Sequence, residues 1–212
     1  EFESWNVTNA STSAVITVAD NKFTMPAANV NVSATFKEKE VEALKTMDEI
    51  FAAATAAGAT ATDTKVTFNN WVVSGVKDKN AYVTDGTKGL IIYQSGHGFE
   101  VGDILSGTVQ CKLVIYQGSS ELKGVTTETE GLTVTKGGTI TPASIAIADL
   151  TGAHTGAVIT FESLAYNGSI FSDGVNTITP YNTFGIEMPT LTSGKNYTVT
   201  GIYIHYDGTK EI

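Results

Sequence analysis

The side chains of this 212-residue chain that could react or ligate are few and far apart. Its three histidines, His97, His154 and His205, show neither the His-x-Glu nor the His-x3-His spacing that sets two metal ligands on one face, so no metal is expected. His97 stands in the loop-like run Ser95-Gly96-His97-Gly98 and His205 alternates within a strand pattern, so both read as surface histidines. Cys111 is the lone cysteine, which excludes an intrachain disulfide and a thiolate cluster. It lies in the apolar run Val109 to Ile115, where a buried strand thiol is expected rather than a reactive one. Asp85 and Asp103 would suit glycosidase chemistry if they converged across a barrel mouth. Both, however, belong to the Asp-Gly and Gly-Asp pairs that tight turns require. With no Gly-x-Ser-x-Gly elbow, Walker loop or Rossmann glycine pattern, neither an enzyme nor a cofactor is expected.

Binding chemistry is better represented. All 13 basic residues are lysines, and the formal net charge is −9. Without arginine forks and with an acidic total, the chain is poorly suited to phosphate backbones. Residues 60 to 137 are nearly balanced, with seven lysines against eight acids, whereas residues 138 to 212 carry two against six. Trp71, Tyr82, Tyr93 and Tyr116, with Lys77, Lys79 and Lys88, form the candidate binding set of this middle region. Aromatics and lysines together can stack and steer a single nucleic-acid strand. The same aromatics also serve as barrel fillers and cross-strand pairs. Sugar recognition is the other option, with Trp5, Trp71, Tyr166, Tyr181 and Tyr203 as stacking candidates among hydrogen-bonding asparagines.

These residues need a β scaffold, and the chain supplies one twice. Asp85-Gly86 is followed by Tyr116-Gln117-Gly118-Ser119-Ser120-Glu121-Leu122. Asp173-Gly174 is followed by Tyr206-Asp207-Gly208-Thr209-Lys210-Glu211-Ile212, so a small module is duplicated. In the first copy, strands are expected at Val66 to Val76, Ala81 to Thr84, Leu90 to Tyr93, Ile104 to Ile115 and Leu122 to Thr127, with bends at Gly75 and Gly107. In the second they fall at Val158 to Tyr166, Ser169 to Ser172, Thr177 to Tyr181, Tyr197 to Tyr206 and from Glu211, where the copy reads as truncated. One helix is expected over 47 to 57, plugging the first barrel. Thr46 is its N-cap, Glu49 the capping-box partner and Gly58 the stop, with Met47, Ile50, Phe51 and Ala54 on one face. Ahead of it, Lys37-Glu38-Lys39-Glu40 reads as a solvated linker. Short alternating bursts at Ala14 to Val18, Lys22 to Pro26 and Val30 to Phe36 read as strands. No segment has the apolar length of a membrane-spanning helix, and the opening Glu1 to Trp5 has no signal-peptide character.

The run Phe23-Thr24-Met25-Pro26 followed by Val30-Asn31-Val32-Ser33-Ala34-Thr35-Phe36 resembles the closing half of an internalin-type B repeat. The run Tyr82 to Tyr93, with Val101-Gly102-Asp103 and Tyr116 to Leu122, is similar to the OB-fold modules of bacterial secreted and lipid-anchored proteins. These resemblances imply a mainly β protein: a partial repeat over 1–37, a linker and helix over 38–60, and two tandem five-stranded OB-type barrels over 61–137 and 138–212. They imply an extracellular or outer-surface setting, with signal and anchor expected upstream of residue 1. The function expected is a non-enzymatic binding or presentation module engaging glycan or protein. The rival is a single-stranded nucleic-acid binder, accessory to a secreted nuclease.

Overall fold

A computed structural model describes residues 1–37 and 41–212; the linker reading at Glu38 to Glu40 lies outside the described residues. Residues 1–41 and 42–212 are two compact units. In the first, β1 (Phe2–Asn9) pairs antiparallel with β2 (Val30–Phe36), Trp5 facing Ala34 in register and Val7 facing Val32. Of the three expected strands here, only Val30 to Phe36 forms. Ala14 to Val18 and Lys22 to Pro26 make single bridges at Val15 and Lys22, because left-handed backbone at Ser13, Asp20 and Asn21 turns the chain before a ladder can extend.

The second unit opens with α1 (Met47–Ala57). Thr46 Oγ1 accepts from Glu49 N at 3.2 Å, and Glu49 Oε2 accepts from Thr46 N at 3.1 Å, closing the capping box. Gly58, at φ 66°, ends the helix, and its carbonyl accepts from Ile115 N at 3.1 Å. Met47, Ile50 and Ala54 are buried in the core of the first barrel, while Phe51 is only half-buried.

That barrel comprises β3 (Thr62–Lys77), β4 (Asn80–Thr84), β5 (Gly89–Tyr93), β6 (Ile104–Tyr116) and β7 (Ser119–Lys123). β3 pairs with β4, β4 with β5, β5 with β7 in parallel, β7 with β6, and β6 with β3, which closes the cylinder. A sixth strand, β8 (Leu132–Thr135), lies on the remaining edge of β6 and has no counterpart among the expected strands. The fifth strand ends at Lys123, short of the expected Thr127, because Gly124 leaves it at φ 81°. The bend in β3 comes from two bulges, one at Asn70 (φ 56°) and one between Val73 and Gly75.

The second module follows the same strand sequence with shorter ladders. β9 (Val158–Tyr166) pairs with β10 (Phe171–Ser172) and β12 (Lys195–Ile202), and β10 pairs with β11 (Thr177–Ile178). A separate hairpin joins β13 (Ile204–Tyr206) to β14 (Thr209–Glu211). The run after β11 meets β14 in parallel through one bridge, Thr179 to Glu211. Around it Thr179 N donates to Lys210 O at 2.9 Å and Tyr181 N donates to Ile212 O at 2.8 Å. The expected fourth strand is interrupted at Tyr203, and the second and third are two residues each, so this module lacks the continuous ladders of the first.

The two Asp-Gly turns share one hydrogen-bond pattern. Asp85 Oδ1 accepts from Thr87 N and Lys88 N, while Thr84 Oγ1 accepts from Gly86 N. Asp173 Oδ1 accepts from Val175 N and Asn176 N, while Ser172 Oγ accepts from Gly174 N. These aspartates build turns.

Candidate binding groove

Strand alternation decides which candidate residues reach solvent. On β4, Ala81 and Val83 point into the barrel, so Tyr82 points out, and on β5 Ile91 does likewise. That outer face is covered by the second module: Ile204, Ile202 and Phe184 pack on Tyr82 and Ile91, with the Tyr82 and Phe184 rings 5.6 Å apart. Tyr82 is therefore 4% exposed and unavailable to a ligand. Gly75 permits this approach, since a Cβ there would stand 2.6 Å from Ile202 Cδ1.

Trp71 is also buried. Strict alternation from Phe68 would put it outside, but the Asn70 bulge adds a residue and returns it to the core, 5.3 Å from the Phe68 ring. Lys88 pairs with Asp48, next to the start of α1. Tyr116 is exposed and packs edge-on against Tyr206, 6.4 Å away.

Lys77, Lys79 and Tyr93 are brought together. The β3–β4 turn, with Asp78 at φ 54°, holds the two lysines beside Tyr93, whose strand is tied to the turn by Gln94 N donating to Lys79 O at 2.9 Å. Asn80 is the cross-strand partner of Tyr93. With Tyr181 and Asn182 from the second module they line a groove of about 590 Å³. Lys79 Nζ is 5.9 Å and Lys123 Nζ 5.6 Å from the Tyr93 ring centre, so two cations flank one aromatic. Asn80 Oδ1 is buried without a hydrogen-bond partner among the described residues. Tyr181 was named in the sequence among sugar-stacking residues. Asn80, Asn182 and Lys123 were not; only the register that sets Asn80 against Tyr93 finds the first of them.

The other residues weighed in the sequence do other things. Asp103 is fully buried, pairs with Lys136 at 2.8 Å and accepts from Glu100 N at 2.9 Å, pinning the turn before β6. His97 is not on the surface: it is 4% exposed, stacks on Phe99, and accepts from Phe99 N at 2.9 Å through Nδ1. Burial lowers its pKa. Cys111 is buried as expected, which pushes its thiol up to about 12. Tyr203 is wholly buried in the second core, and Tyr166 donates to Gly168 O at 2.7 Å. Trp5, in the first unit, donates from Nε1 to Asn21 Oδ1 at 3.1 Å. Among the described residues no group of three or more His, Cys, Asp or Glu is placed to hold a metal ion. None of the described helices is long and apolar enough to cross a membrane.

Comparison with known proteins gives one partial likeness. No curated protein and no solved structure matches the chain. The family model of the divergent InlB B-repeat domain matches residues 1–40, the segment that carries β1 and β2.

Proposed function

We propose that the chain is a non-enzymatic binding and presentation module of a bacterial surface or secreted protein, engaging glycan or protein through the Lys77–Tyr93–Tyr181 groove. The setting is supported by the B-repeat match, since such repeats occur in surface-associated proteins. The barrel over 61–137 is of OB type. Its first and fourth strands pair, and its third and fifth run parallel, the closure of a five-stranded Greek-key barrel. The module over 138–212 is a second, degenerate copy, supported by the matching Asp-Gly turns and the parallel bridge at Thr179.

The observation that carries the binding reading is the groove itself. The outer face of β4 and β5, a customary ligand surface of such barrels, is filled by Ile204 and Phe184, which leaves the groove at its margin as the polar, aromatic concavity open to solvent. Tyr93 and Tyr181 supply aromatic surface for a sugar ring, while the lysine ammonium groups meet its hydroxyls.

A glycan array followed by calorimetry on the hits tests this. Tyr93→Ala and Tyr181→Ala should each weaken binding about tenfold or more, as truncation of a central aromatic anchor does. Labelled oligo-dT is the rival probe. Oligo-dT binding that collapses between about 50 and 200 mM salt and is lost in a Lys77/Lys79/Lys123 triple-Ala variant would replace the glycan reading with the single-stranded nucleic-acid one.

A further inference from the structure

The lysines of the groove are not demanded by the turn that carries them. The turn between β9 and β10 is made by Asn167-Gly168-Ser169 without a lysine, and the turn between β3 and β4 needs Asp78, not the lysines on either side of it. Elsewhere on the first barrel Lys88, Lys112 and Lys136 are paired with Asp48, Asp63 and Asp103. Asp78 is taken by Lys77 at 3.6 Å, which leaves Lys79 with no acidic partner among the described residues. Lys123 has Glu121 at 3.9 Å, a carboxyl that is itself buried and whose pKa burial raises.

The two ammonium groups are also held in place. Gln94 ties their segments together: its backbone N–H donates to Lys79 O at 2.9 Å, and its side-chain Oε1 accepts from Gly124 N, next to Lys123, at 3.2 Å. Tyr93 stands between them, with Lys79 Nζ 5.9 Å and Lys123 Nζ 5.6 Å from the ring centre. Attraction to the ring restrains two long side chains before a ligand arrives, so less freedom is lost when one binds. Lys79, Tyr93, Gln94 and Lys123 all belong to the first barrel and its turns, so this cluster is complete within it.

An ammonium group has three donors and no acceptor, so this end of the groove is matched by a ligand group that only accepts. A sugar hydroxyl must also donate; a carboxylate does not. Three lysines gathered at one point of a chain with net charge −9 give no track for a nucleic-acid strand, which needs cations spaced along its backbone.

We propose that the groove selects glycans that carry a carboxylated sugar, the carboxylate lying against Lys79 and Lys123 beside Tyr93. This deepens the glycan reading above and rests on it.

The test is an array of uronic-acid oligosaccharides, each printed beside its carboxyl-reduced counterpart and probed with the whole chain, followed by calorimetry on the best pair. Acidic members should bind about five- to twentyfold more tightly than their reduced counterparts, the effect of two exposed charge contacts. Lys79→Gln with Lys123→Gln should bring that ratio to about one, and Lys79→Arg with Lys123→Arg should keep it. Affinity for the acidic member should fall less than about tenfold between about 50 and 200 mM salt, as two neutralised charges predict. Equal binding of acidic and reduced members, or a ratio unchanged in the double Gln variant, would overturn the carboxylate inference and leave the glycan reading standing. Poly-glutamate bound as tightly as the acidic glycans would overturn it as well, since the groove would then read charge without the sugar. An array with no hits at all would remove both.

Discussion

The Glu of each Tyr-x-Gly-x-x-Glu motif is placed against its own chemistry. Glu121 is 5% exposed, and burial raises its pKa, an effect Lys123 at 3.9 Å only partly offsets; burial raises Glu211 in the same direction. A carboxyl with a higher pKa in the folded chain than in the unfolded one binds its proton more tightly when folded. Its contribution is therefore fully present below the unfolded pKa and lost as pH rises through the folded one. Glu121→Gln removes the charge and keeps the shape, so it should raise Tm at pH 7 by about 2–4 °C, the size of a 1 kcal/mol change in a chain of this length. That gain should shrink to nothing in acid, where wild type is protonated as well. A Tm gain that persists unchanged at pH 3, or no gain at pH 7, would show that the carboxylate is compensated.

At the scale of elements, α1 is the best-defined piece. Thr46→Ala removes the acceptor for Glu49 N and should cost about 1 kcal/mol in urea unfolding, with the m-value unchanged. This helix was readable to its ends because capping is local chemistry: Thr46, Glu49 and Gly58 act within a few residues. The five strands of the first barrel were readable for a related reason, their connections being marked by Asp78-Lys79-Asn80, Asp85-Gly86, Gly102-Asp103 and Gln117-Gly118. What failed depends on bulges and on partners distant in sequence. Trp71 stood among the binding candidates because nothing in Asn69-Asn70 announces the left-handed residue that turns it into the core. Tyr82 looked free because the Phe184 and Ile204 that cover it lie more than a hundred residues away. His97, between two glycines, resembled a mobile loop. Its burial comes from Phe99 and from Thr127 N, which donates to the His97 carbonyl at 2.9 Å. Strand β8 was missed because Leu132-Thr133-Val134-Thr135 is too short to signal without the edge it covers.

Across residues 42–212 the two modules are joined by polar as well as apolar contacts. Ser119 Oγ lies 2.7 Å from Thr155 Oγ1 and donates to His205 O at 2.8 Å, and Ser74 Oγ donates to Gly156 O at 2.6 Å. Gly152 fits against the Gly118 carbonyl so closely that a Cβ there would stand 1.7 Å from that oxygen. Gly152→Ala must push the modules apart, at a cost of about 1–3 kcal/mol. Calorimetry should then resolve two transitions where wild type is expected to give one for this unit, and a single transition with unchanged Tm would refute the coupling. The joint has one more property. Tyr116 packs on Tyr206, and Asp207 N donates to Gln117 O at 2.9 Å, so matching positions of the two Tyr-x-Gly hairpins touch each other. Contact between equivalents is the mark of a two-fold axis. On the proposed reading of residues 138–212 as a second copy, this joint is the kind of self-complementary patch by which two separate copies of one module would dimerise.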